Sequence, residues 1–194
     1  MPLTTYTVGE VLTAASLNAN LSFAASSPAG GLTLIATATP TAVASVSINN
    51  CFTSTYENYR IVVNISAATG GNAAVTLRLR ASATDTTTNY TSQLQEAYST
   101  TVSTVLNTSG TDDWYMSNLD GGFDNLSFAY DIYAPQTATT TRYNGQSIYN
   151  TTSIMILQTV GGLQTASTQF DGFTLLYAGT NFTGTIRVYG YANS

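Results

Sequence analysis

In the stretch YRIVVNIS the apolar residues Tyr59, Ile61, Val63 and Ile65 fall on every second position. The same period recurs in VTLRLRAS, where Val75, Leu77, Leu79 and Ala81 alternate with Thr76, Arg78, Arg80 and Ser82. In LSFAYDIY, Leu126, Phe128, Tyr130 and Ile132 alternate with Ser127, Ala129, Asp131 and Tyr133. In GTIRVYGY, Ile186 and Val188 lie opposite Arg187, Tyr189 and Tyr191. Strict alternation predicts antiparallel sheets with one face buried and the other wet. Turn-forming clusters separate the runs: ATGGN at 68–72, SATDTTTN at 82–89, NTSGTDD at 107–113, LDGGFDN at 119–125, VGGLQ at 160–164 and AGTN at 178–181. This spacing gives about eight to ten strands, with no repeat of propeller or solenoid length. The expected fold class is all-β, a jelly-roll-like antiparallel β-sandwich over residues 32–194. A unit of about 160 residues suits an eight-stranded jelly roll better than an immunoglobulin module of about 100.

The first 31 residues follow a different rule. Thr13 is an N-cap candidate for a short helix over 14–23, with Leu12 before the cap and Leu17 at the fourth helical position as a hydrophobic staple. Leu17 and Leu21 then repeat on one face. So short a helix is marginal alone, because nucleation costs more than its few hydrogen bonds return, and it needs a surface to dock on. The small-residue stretch AASSPAGG, 24–31, predicts a flexible linker.

Composition then removes whole classes of chemistry. Of 194 residues only 8% are charged, against about a quarter in ordinary globular domains, and the net charge is −5. Threonine alone makes up nearly a fifth of the chain, so hydroxyls and amides carry solubility. All five basic residues are arginines (Arg60, Arg78, Arg80, Arg142 and Arg187), and histidine and lysine are absent. Without a basic footprint neither nucleic acid nor an anionic membrane surface is an expected partner. Without imidazole or lysine there is no Ser-His-Asp or Cys-His nucleophile, no Schiff base and no P-loop. The lone Cys51 reads as a small buried apolar residue. The chain begins without a secretory leader pattern, and no apolar run has the length of a membrane span.

Three candidate sites survive. A glycosidase-type carboxylate pair would come from Asp112, Asp113, Asp120, Asp124 or Asp131, although acids in turns ordinarily serve turn geometry. Calcium in DDWYMSNLDGGFD has suitable oxygens, but the spacing is not that of an EF-hand and a hairpin explains the glycines. The third is a contact surface. The chain has 13 tyrosines, and the outward-facing Tyr133, Tyr189 and Tyr191 are suited to a neighbouring subunit or a sugar. Most of the others are expected to straddle the rim of the core. The expectation is therefore a non-enzyme without cofactor or metal.

The opening YTVGEVLTAASLNANLSF resembles the N-terminal attachment segment of tailed-bacteriophage virion proteins, through Gly9, Leu12, Thr13, Ala14, Ala15, Leu17, Asn18, Ala19 and Asn20. Ser16-Leu17 departs from the usual form of the leader. The blocks FTSTYENYRIVVNISAATGGNAAVTLRLRAS and FDGFTLLYAGTNFTGTIRVYGYANS are similar to a domain recurrent in phage structural proteins. The resemblance implies a homotrimeric virion structural protein on the virion exterior. Residues 1–31 would seat it on the major capsid protein or on tail or portal-vertex proteins, with Leu12, Thr13, Leu17, Leu21 and Phe23 as attachment residues. The leading expectation is a capsid decoration or cement protein, since a long fibre would need repeats or a coiled coil. The alternative is a short tail-fibre or receptor-binding tip contacting host glycans.

Overall fold

The computed structural model describes residues 8, 9, 13–15, 17, 18, 31–119, 126–151 and 153–192, with the backbone alone for 105–108. Leu32–Tyr191 form one unit, and the described residues outside that span belong to a second. Within the second unit the Leu17 N–H donates to the Thr13 carbonyl at 3.0 Å, closing one helical turn, and the Leu17 side chain is exposed. The remainder of the helix expected over 14–23, with Leu12, Leu21 and Phe23, and the linker up to residue 30 lie outside the described residues.

The described residues of the larger unit form thirteen strands: β1 (Leu32–Ala38), β2 (Ser45–Ile48), β3 (Asn58–Thr69), β4 (Ala73–Ala81), β5 (Thr84–Asp85), β6 (Tyr90–Tyr98), β7 (Thr101–Thr111), β8 (Trp114–Leu119), β9 (Leu126–Tyr133), β10 (Thr141–Asn150), β11 (Met155–Gln164), β12 (Gly172–Tyr177) and β13 (Asn181–Tyr191). They make two antiparallel sheets. Eight strands run in the order β1-β13-β3-β9-β10-β11-β6-β7. Five make the other sheet, β2-β12-β4-β5, with β8 also on β4. β8 and β5 share one edge of β4, pairing with Ala73–Leu77 and with Arg80–Ala81 respectively. The result is a β-sandwich.

The alternation seen in the sequence sorts the faces. Tyr59, Ile61, Val63 and Ile65 from the large sheet meet Val75, Leu77 and Leu79 from the small one in a single core. Cys51 is buried there too, and burial pushes its thiol up to about 12. Two of the expected turns are instead strand. The segment 107–113 continues β7 as far as Thr111, and VGGLQ lies inside β11. The glycines of VGGLQ answer a packing need. A Cβ on Gly162 would stand 2.1 Å from the Thr91 carbonyl oxygen and 2.6 Å from the Tyr143 ring. Thr-, Ser- and Asn-rich stretches that read as turns, β5 within SATDTTTN and the last residues of β7, help to raise the strand count above the expected eight to ten.

Six tyrosines (Tyr59, Tyr90, Tyr130, Tyr143, Tyr149 and Tyr177) are buried in the core rather than at its rim. Several of their hydroxyls tie one sheet to the other. Tyr130 donates to the Met116 carbonyl, Tyr143 donates to the Tyr115 carbonyl at 2.6 Å, and the Leu79 N–H donates to Tyr90 at 2.8 Å. A buried phenol is tolerated only when its hydroxyl is bonded, so each pair fixes the register between layers. No helix among the described residues is long and apolar enough to cross a membrane.

Candidate functional site: the outer face of the eight-stranded sheet

Strand register places outward side chains in rows that cross the sheet. One row runs Tyr133–Arg142–Leu163–Thr91. The next runs Arg60–Asp131–Asn144–Gly161–Gln93. The third is Arg187–Val62–Ala129–Gln146–Thr159–Gln95. These are positions that sequence alternation puts outside, and most of them carry amides, hydroxyls or arginines. The rows are therefore ladders of hydrogen-bonding groups on a rigid, paired scaffold.

Three grooves open on this face. The first, about 410 Å³, is walled by Tyr133, Arg142, Asn144, Gln93 and Leu163 over a floor of Gly161 and Gly162. The second, about 440 Å³, shares Gln93, Asn144 and Gly161 with it and continues to Gln95, Thr104 and Thr159. The third, about 490 Å³, lies between Val62, Ala129, Gln146, Ile148, Leu157 and Arg187. Gly161 carries no side chain, which leaves the first two grooves confluent between Asn144 and Gln93.

The tyrosines singled out from the sequence lie on this face, each partly buried. Tyr133 donates to the Asn144 Oδ1 at 2.9 Å and so braces the groove wall. Tyr191 donates to Asp131 at 2.6 Å, and Asp131 also accepts a bidentate pair from Arg60, both bonds at 2.8 Å. The Arg60 guanidinium sits 6.0 Å from the centre of the Tyr191 ring. Burial first, and then the hydrogen bond and charge of Asp131, push the Tyr191 hydroxyl up to about 12. The hydrogen bonds that Arg60 donates to Asp131 in turn raise the Arg60 pKa. Tyr189 lies between Leu34 of β1 and Arg60 of β3 in the pairing. Tyr133 thus reaches a groove, whereas Tyr191 belongs to an ion-pair cluster beside it.

The candidate carboxylates among the described residues each have an arginine partner. Asp112 and Asp113 flank Arg78 at 2.5 and 3.5 Å, and Asp131 is engaged with Arg60. Asp113 is raised by burial and by the neighbouring charge of Asp112. Asp120 and Asp124, and with them most of the acidic end of DDWYMSNLDGGFD, lie outside the described residues. Among the described residues no three metal-ligating side chains come together. On the small sheet Arg80 is held by Asp85 at 2.5 Å and by the Ala83 carbonyl, so the charges of that layer are matched at home.

Sequence reading missed the amide rows. Gln93 and Gln95 on β6, and Asn144 and Gln146 on β10, follow strand alternation without any local motif, and only the pairing register brings them together. The signal that was available is that the outward positions of 91–95 and 142–146 carry amides and an arginine in place of Lys and Glu.

No family model matches the chain, and no curated protein matches it. Among solved structures it is similar to the CBM2 module of the evolved Dit of Lactobacillus casei BL23 phage J-1, at 12% identity and a TM-score of 0.32, covering 77% of this chain and 69% of that one. A likeness of this size carries no argument about function.

Proposed function

We propose that this chain is a bacteriophage virion surface protein whose β-sandwich contacts surface glycans through the outer face of the eight-stranded sheet. The observation that carries the glycan contact is the set of confluent grooves lined by Gln93, Asn144, Gly161 and Thr159. Sugars offer hydroxyls as both donors and acceptors, and planar amides on a rigid sheet match them without importing charge. Tyr133, Leu157 and Leu163 supply apolar surface for the C–H faces of the rings. The virion assignment rests on the resemblance of residues 6–23 to phage attachment segments. A marginal helix on a tether gains its stability by binding, and several tethers in one oligomer gain avidity.

A second reading, the homotrimeric capsid decoration or cement protein, is favoured by a separate observation. Ile148 and Leu157 pair directly across β10 and β11, and both are exposed, as are Met155 and Val102 at the same end of the face. Such a stripe suits a subunit interface.

Removal of residues 1–29 separates attachment from display. The expected product keeps a cooperative melt and glycan binding and no longer associates with purified particles, as read by co-sedimentation. A truncated chain that still co-sediments, or one that no longer folds, would contradict the proposed division of labour. A copy number per particle comparable with that of the major capsid protein would favour the decoration role over the tip.

A further inference from the structure

Three of the five arginines have a carboxylate partner: Arg60, Arg78 and Arg80. Among the described residues the other two, Arg142 and Arg187, have none within ion-pair distance. Both are exposed, both lie on the outer face of the eight-stranded sheet, and each lines a groove, Arg142 the first and Arg187 the third. Among the strand residues of that face the charges are Arg60, Arg142 and Arg187 against Asp131 alone. A chain of net charge −5 thus presents a locally positive face. A solubility role does not account for this. Elsewhere the chain uses hydroxyls and amides for solubility and pairs its arginines, as Arg78 and Arg80 show on the small sheet.

We infer that these grooves take an acidic glycan, whose anionic groups are met by Arg142 and Arg187 while its hydroxyls are met by Asn144 and Gln146 of β10. The two arginines are four residues apart along the strands and three strands apart across the sheet, a separation of about 20 Å from strand rise and spacing. A ligand reaching both is an extended chain carrying negative charge at intervals; the line between them crosses the Arg60–Asp131 ion pair, with Asn144 and Gln146 of β10 flanking it. Arginine suits this task because its planar fork bonds carboxylate, sulfate and phosphate oxygens alike. The acidic chain as a whole repels polyanions, so the arginines act as a selective local attraction and not as a general one. This inference rests on the glycan-contact reading above.

The test is titration calorimetry of the full chain with four polymers: polygalacturonate for carboxylate, dextran sulfate for sulfate, a polyglycerol phosphate for phosphate, and dextran as the neutral comparison. At least one polyanion is expected to bind about tenfold or more tightly than dextran, weakening as salt is added. Arg142→Gln and Arg187→Gln are each expected to weaken that polyanion about tenfold, and to weaken dextran less. Arg78→Gln, on the small sheet, is expected to leave both unchanged. Which polyanion binds identifies the anionic group. Equal binding of dextran and the polyanions overturns the acidic preference and leaves the glycan reading standing. Polyanion binding that survives both substitutions overturns the role of these arginines. Binding of none of the four overturns the inference together with the reading beneath it.

Discussion

Replacing Trp114 by alanine lowers the free energy of unfolding by about 3–5 kcal/mol, measured by urea denaturation followed by circular dichroism. Trp114 is fully buried on β8, a strand that among the described residues pairs with β4 alone. Its ring meets Tyr90 edge-on at 5.6 Å and Tyr143 at 4.5 Å, both from the opposite sheet. Its indole N–H donates to the Leu163 carbonyl at 2.9 Å, reaching across to β11. Truncation therefore opens a large cavity, strips two aromatic contacts and leaves a carbonyl without its partner. Trp114→Phe retains most of the ring packing and should cost clearly less. With total stabilities of about 5–15 kcal/mol, the alanine variant stands close to global unfolding. A loss below about 1 kcal/mol would mean that β8 is not an integral part of the core.

The second large effect is with pH. Burial raises the phenols of Tyr90, Tyr130 and Tyr143 well above their ordinary value near 10, and raises the Cys51 thiol to about 12. The folded state then holds protons that the unfolded chain releases, so stability falls as pH rises. The contribution is whole below the unfolded values, about 8.5 for cysteine and 10 for tyrosine, and is lost as pH climbs toward the folded ones. Each group costs about 1.4 kcal/mol per pH unit, so the three tyrosines together cost about 4 kcal/mol per unit. Cooperative unfolding is expected by roughly pH 11–12, with tyrosine ionisation and loss of sheet signal coinciding. With no histidine in the sequence, the melting temperature should be nearly flat from about pH 6 to 8. Ionisation of most tyrosines near pH 10 with the sheets intact would contradict this account of the core.

The contrast between what the sequence discloses and what it hides follows from range. Alternation in 59–65, 75–81 and 126–133 is local, so the buried and wet faces of β3, β4 and β9 could be read directly. Glycine is ambiguous at that range. Gly161 and Gly162 look like a turn, yet one opens a groove and the other lets β10 and β6 close on β11. Tyrosine is ambiguous for the same reason. Tyr143 carries no local sign of burial, yet its hydroxyl meets the Tyr115 carbonyl on β8, 28 residues away and in the other layer. The contact face is the extreme case. Tyr133 was legible as an outward aromatic, but its partner Asn144 and the groove they share arise only from the β9–β10 register. The matching of Arg60 with Asp131, and the lack of any such match for Arg142 and Arg187 among the described residues, is likewise a property of pairing and not of spacing.

The central claim is that the eight-stranded sheet's outer face is where this protein meets its ligand. Its most direct test is the set of side-chain amide resonances of the isotope-labelled full chain, recorded with and without a fragment of host surface polysaccharide. The account predicts shifts at Gln93, Asn144 and Gln146, and at the Arg142 Nε–H. Shifts confined to the five-stranded sheet, around Arg78 and Arg80, or no shift at any of these groups at saturating polysaccharide, would contradict it.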